Sequence, residues 1–197
     1  MSENRYLNLL ILTALLCLAY PALCLHAEKI EADDKLRGRV MGTEEYYDPD
    51  RDCYTIDSHT REEAFDGNLS TYVCTNEKSH TWVGLDLGSP HVITRVGWSP
   101  RNHTSGPKSV VLGIFEGANR EDFMDALPLY MITTEGTVGV VSYATVHVSR
   151  GFRYVRWCGP ADSRCCVAEL EFYGYADPGN DSRFYQITNL PTLSYHT

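Results

Sequence analysis

Apolar residues are distributed along the chain in three textures. Tyr6 to Leu25 is almost wholly apolar, interrupted by Asn8, Thr13 and Pro21. Residues 26–50 are polar and acidic and close on Glu44-Glu45-Tyr46-Tyr47-Asp48-Pro49-Asp50. From Cys53 onward, short apolar runs alternate with turn residues. The runs are Thr81 to Leu87, Val92 to Trp98, Ser109 to Glu116, Leu129 to Thr133, Tyr143 to Val148, Phe152 to Cys158 and Val167 to Tyr173. They are rich in Val, Ile, Tyr and Trp, and Gly88-Ser89-Pro90 and Ser99-Pro100 stop two of them. That texture predicts strands. No segment after Leu25 keeps a 3.6-residue apolar period for three turns. A single helical turn is predicted at Arg120 to Ala126, with Asn119 as its cap. Many short strands closely spaced predict an all-β sandwich or barrel.

The first texture reads as a secretory signal. Pro21 followed by Ala22, Leu23 and Cys24 supplies a helix breaker and a small-residue cleavage site. Residues 1–24 are therefore expected to be a signal peptide, cut near Cys24 or Ala27. The alternative is a retained anchor, since the run approaches membrane-spanning length. Residues 25–50 are expected to be a partly ordered lead-in, 51–176 the domain, and 177–197 a linker-like tail opening on Asp177-Pro178-Gly179. Ile187 to Tyr195 resembles the start of another strand and raises the idea of a shortened multi-domain ancestor.

Charge narrows the partners. The formal net charge is −9, and removing residues 1–24 takes away only Glu3 and Arg5. An acidic chain argues against nucleic acid, whose phosphates demand Lys and Arg patches. It also disfavours electrostatic docking on anionic lipid. Of the 7 Cys, Cys17 and Cys24 lie in the signal. The remaining Cys53, Cys74, Cys158, Cys165 and Cys166 are expected to form disulfides in an oxidising compartment. The expected pairs are Cys53 with Cys74, and Cys158 with Cys165 or Cys166, leaving one thiol buried or paired with another chain. Zinc is disfavoured, because no second C-x-x-C or His pair accompanies them. Asn68, Asn102 and Asn180 each open an N-x-[ST] sequon, usable for glycosylation after secretion. No G-x-S-x-G, H-E-x-x-H, P-loop or dinucleotide fingerprint occurs, so no enzyme activity is expected.

Six motifs in order carry a family resemblance. They are Ala64-Phe-Asp-Gly-Asn-Leu-Ser-Thr-Tyr72, Trp82-Val-Gly-Leu-Asp-Leu-Gly88, Val92-Ile-Thr-Arg-Val-Gly-Trp-Ser-Pro-Arg101, Phe115-Glu-Gly-Ala-Asn119, Phe152-Arg-Tyr-Val-Arg-Trp157 and Val167-Ala-Glu-Leu-Glu-Phe-Tyr-Gly174. Together, over Cys53 to Tyr175, they resemble the discoidin-like, coagulation-factor type C domains, and most of all the family 32 carbohydrate-binding modules. The resemblance implies a galactose-binding-domain-like jelly-roll β-sandwich of two antiparallel sheets. It implies non-catalytic binding of glycans or glycoproteins on a cell surface or matrix. For other members it implies protein or phospholipid as the ligand, and a targeting module cut from a larger secreted enzyme is a third reading.

The resemblance also implies one structural calcium. By position, its ligands would be the Glu63 carbonyl, the Asp66 carboxylate, the Asn68 carbonyl, the Thr71 carbonyl and hydroxyl, the Ala168 carbonyl and the Glu169 carboxylate. Calcium takes six to eight oxygens in flexible geometry, and Gly67 allows the chain to turn its carbonyls inward. With the Asn68 carbonyl on the metal, its side chain is free to point outward. Loop candidates for the sugar are Tyr72, His80, Arg101, Asn102 and His103, an aromatic ring with forked polar groups. Trp82, Trp98 and Trp157 lie within strands and are expected in the core. Two departures from the family pattern stand out, the pair Cys165-Cys166 and Lys108-Ser109 in place of a common Arg-Met.

Overall fold

The computed structural model describes residues 33–45 and 60–179. The expected signal segment, Cys53, Asn180 and the rest of the expected tail from residue 180 lie outside the described residues. In chain order the elements are β1 (Asp34–Lys35), β2 (Arg39–Gly42), a 3-10 helix (Arg61–Phe65) and β3 (Trp82–Ser99). Then come α1 (Gly106–Ser109), β4 (Ile114–Ala118), β5 (Leu127–Met131), β6 (Ser142–Thr145), β7 (Phe152–Cys158) and β8 (Glu169–Ala176).

The two runs expected on either side of Gly88-Ser89-Pro90 are one continuous strand. β3 passes through these exposed residues with Gly88 in the left-handed region (φ 78°) and changes register against β7 between Asp86 and His91. Its first half pairs with β2 and β7, its second half mainly with β8 and β6. β3 thus feeds both layers. One layer runs β2, β3, β7, β4, β5, and the other runs β1, β8, β3, β6. All named pairs are antiparallel. The result is the expected β-sandwich.

The core forms where the inward residues of the two layers meet. Val83, Leu85, Phe115, Val155 and Trp157 come from the first layer, and Ile93, Val96, Trp98, Leu170 and Phe172 from the second. Phe115 meets Phe172 edge-on at 5.6 Å and tilts against Trp98 at 6.0 Å. Burying each such side chain stabilises the fold by roughly 1.5–3 kcal/mol. Trp98 and Trp157 are core residues as expected; Trp82 is half-buried against Phe123 at 5.1 Å.

Three local expectations are corrected. The sheet begins well before residue 51: Asp34 and Lys35 pair with Gly174 and Tyr173, and Arg39 to Gly42 pair with Asp86 to Val83. These strands are only two and four residues long, too short for an apolar alternation to register. Ser109 to Glu116 is not a continuous strand. Pro107 starts α1, Leu112 is left-handed (φ 71°), and only from Ile114 does the chain extend. At Arg120 to Ala126 turns replace the expected helical turn. Phe123 is left-handed (φ 56°), and the Asp125 carboxylate accepts the Asn119 and Arg120 N–H groups. Asn119 caps nothing; its side chain donates to the Gly151 carbonyl and accepts from Arg153 N–H.

Candidate functional site

The expected calcium residues gather where the loop after the 3-10 helix meets the start of β8. Thr71 Oγ1 donates to Asp66 Oδ2 at 2.8 Å and lies 2.7 Å from the Asn68 carbonyl oxygen. Asn68 N–H closes back on Asp66 Oδ1 at 2.7 Å. Gly67, in the left-handed region (φ 79°), aims its N–H at Glu169 Oε2, 3.0 Å away. Glu63 lies farther back and accepts Tyr72 N–H at 3.3 Å. Val73 and Val167 exchange both bridge hydrogen bonds, and Ala168 N–H reaches the Ser99 carbonyl. These links hold the loop against β8. The Asn68 side chain is exposed and accepts Ser70 N–H.

Glu169 is fully buried, and its other oxygen accepts from Lys35 at 2.9 Å; Lys35 also reaches Glu171 at 2.7 Å. Burial pushes the Glu169 carboxyl up, and Lys35 offsets only part of that push. Burial would also raise Glu171, but bonds from Lys35, Tyr143 and Tyr173 hold it lowered. Among the described residues no group of three His, Cys, Asp or Glu side chains forms a metal site. The oxygens brought together here are the Asp66 and Glu169 carboxylates, the Thr71 hydroxyl and the Asn68 carbonyl. All are hard oxygens, the chemistry that fits calcium and not zinc.

A second feature lies beyond this loop, on the far side of Cys74. A cleft of about 770 Å³ opens over a disulfide. Cys74 and Cys166 are bonded, with Cα atoms 4.2 Å apart. This corrects the expected pairing. Val73 bridges Val167, so their neighbours Cys74 and Cys166 are brought side by side by the sheet. Sequence proximity pointed elsewhere. Cys158 and Cys165 are free thiols. Burial pushes Cys158 up to about 12 and raises Cys165 as well, so neither is a ready thiolate.

Arg101 reaches the cleft from the loop after β3. Its Nη1 lies 3.4 Å from Cys74 Sγ, and its guanidinium sits 5.7 Å from the Tyr72 ring. Of the sugar candidates, Arg101 lines the cleft and Tyr72 supports it from behind. His80, Asn102 and His103 are exposed and outside the lining; His103 shares a 2.8 Å hydrogen bond with Ser105 Oγ. Lys78, Lys108 and Arg164 line the cleft and were not anticipated. Their signal was basic residues in turn segments of an acidic chain. A cleft of this size accommodates a small ligand.

The CBM62 module of Clostridium thermocellum Xyl5A has the same fold, with a TM-score of 0.65, and is 36% identical. The match covers 73% of this chain and 99% of that module. The chain belongs to the CBM62 family of carbohydrate-binding modules. Other members of the wider fold are more distant in sequence. The fucolectin from striped bass (Morone saxatilis) serum is 18% identical at a TM-score of 0.58, over 73% of this chain and 50% of that one. The CBM32 of AlyQ, solved with 4,5-unsaturated mannuronic acid, is 17% identical at 0.53, over 71% and 97%. The discoidin-like resemblance thus holds at the level of the fold, and the CBM62 likeness is carried by sequence as well. No protein-family model and no curated protein matches the chain.

Proposed function

We propose that this carbohydrate-binding module is secreted and non-catalytic, and that it recognises glycans of a cell surface or matrix in the cleft over Cys74–Cys166. One observation supports this most directly: the 36% identity to a CBM62 module over nearly its full length, with a ligand-sized cleft left at the loop end. Arg101 is the orienting group, a planar fork held in place by Tyr72 and able to grip adjacent sugar oxygens. Hydroxyls such as Ser105 and Ser163 supply both donors and acceptors.

In the same reading a calcium ion sits against Asp66, Asn68, Thr71 and Glu169, with Glu63 and Ala168 behind. The ion ties the loop to β8 and makes no sugar contact. Calcium saturating at one hundred times its dissociation constant adds about 2.7 kcal/mol, or roughly 5–10 °C in Tm. EDTA titration followed by calorimetry checks this, and an unchanged Tm removes the calcium. A glycan array with disulfide-intact protein checks the binding role. No binder on the array, with liposome co-sedimentation positive, would move the function to lipid adhesion.

A further inference from the structure

The cleft is cationic on an acidic protein. Lys78, Arg101, Lys108 and Arg164 line it, against the single carboxylate of Asp162, on a chain of net charge −9. Outside the cleft, most of the described guanidinium groups are neutralised, the exposed Arg37 being an exception. Arg39, Arg61, Arg95, Arg120, Arg153 and Arg156 each pair with a carboxylate. In the cleft Arg101, Lys78 and Lys108 depart from that pattern. Arg101 has a sulfur and an aromatic ring for neighbours, and its buried Nε has no hydrogen-bond partner. Lys78 and Lys108 are exposed, and neither forms an ion pair among the described residues. Arg164 lines the cleft and is tethered through Nη1, which donates to the Asn76 carbonyl at 2.5 Å.

We propose that the cleft takes an acidic sugar, a pyranose carrying a carboxylate or a sulfate. This rests on the carbohydrate-binding reading of the cleft and names the class of sugar. Two chemical features carry it beyond a solvated basic patch. Ammonium and guanidinium groups only donate hydrogen bonds, while a neutral sugar hydroxyl both donates and accepts. A lining dominated by donors suits a ligand dominated by acceptors, which carboxylates and sulfates are. The apolar wall, moreover, is aliphatic. Val111, Leu112, Pro160 and Ala161 line it, and no aromatic ring does. Stacking on a ring, the usual source of affinity for an uncharged sugar face, is missing from this lining. Charge takes its place.

The test is binding to three polymers: polygalacturonate (carboxylate only), carrageenan (sulfate only) and galactan (neutral). Affinity electrophoresis and calorimetry are run in 0.1 M and 1 M salt. An acidic polymer is expected to bind more tightly than galactan. Its affinity should fall in 1 M salt, where the screening length shortens from about 10 Å to about 3 Å. Whichever acidic polymer binds identifies the anion. Lys78→Gln and Lys108→Gln should each weaken acidic binding about fivefold, the value of one exposed charge-assisted contact of ~1 kcal/mol, with Tm unchanged. Arg37→Gln, exposed and outside the cleft, should leave it unchanged. Galactan binding as tight as the acidic polymers, or indifference to both lysine variants, overturns the acidic class and leaves carbohydrate binding standing. An equal loss in Arg37→Gln overturns the cleft as the location. Binding to none of the three overturns both readings.

Discussion

Replacing Cys74 and Cys166 together by Ala isolates the disulfide. The two residues are 92 apart in sequence and are each 3% exposed. In the chain-entropy model, a closed loop of that length restricts the unfolded chain by about 4.6 kcal/mol at 25 °C. The loss of two buried sulfurs adds a smaller packing cost. With a urea m-value of about 2 kcal/mol/M for a domain of this size, the denaturation midpoint should fall by roughly 2 M. The assay is urea unfolding of the native protein, of the Cys74→Ala/Cys166→Ala variant, and of the native protein with reductant. Reduction should reproduce the variant's midpoint. Peptide mapping of the oxidised protein should yield a Cys74–Cys166 linked fragment. The reasoning fails if the midpoint moves by less than 0.5 M on this scale, or if mapping links Cys74 to Cys53. In either case the Val73–Val167 bridge would not determine which cysteines meet.

Two further predictions concern buried charge. Lys35→Met leaves Glu169 and Glu171 without their cation and should cost about 3 kcal/mol at pH 7 in calcium-free buffer. The cost should shrink at pH 4, where unpaired buried carboxylates can take up protons. An equal loss at both pH values, read by urea unfolding, would contradict this account. Asp86 lies at about 2, well below its ordinary 3.8, because Arg153 hydrogen-bonds it, outweighing its burial, with help from Gly88 N–H and Arg39. A lowered carboxylate contributes stability that is present above its ordinary pKa and lost as pH falls through about 2. Arg153→Met should therefore destabilise the fold at pH 7 and have little effect at pH 2. An acid-unfolding midpoint identical to that of the native protein would refute it.

The strands of the sandwich were legible wherever they were long and β-branched. Val92 to Trp98, Phe152 to Cys158 and most of Val167 to Tyr173 stand where their composition put them. The failures share a physical cause. Asp34–Lys35 and Arg39–Gly42 are strands only because β8 and β3 present open edges to them, which no local pattern records. Pro107 and the left-handed Leu112 broke a run whose residues favour a strand. The contact between the 66–71 loop and β8 was legible because Asp66, Asn68 and Thr71 are close in sequence, and Glu169 stood out as an acid in an apolar run. The cleft was not. Lys78, Lys108 and Arg164 are far apart in sequence and meet only once the disulfide and the β3–α1 loop are in place.

The two features are built from the same two pieces of chain. Residues 66–75 begin in the loop that meets Glu169, pass through the Val73–Val167 bridge and end at the cleft's disulfide. Residues 163–169 run the opposite way, from the cleft wall at Ser163 and Arg164 through Cys166 to the buried Glu169. Tyr72, which supports Arg101, stands between the loop and the bridge. Whatever fixes the loop on Glu169 therefore also fixes the segment on which Arg101 rests. A calcium ion at this loop, as proposed above, would therefore act on recognition without touching sugar, through the position of the Arg101 guanidinium. A fork pays off only when its geometry is set before the ligand arrives. The disulfide serves the cleft from the other end, holding Cys74 beside the Arg101 guanidinium.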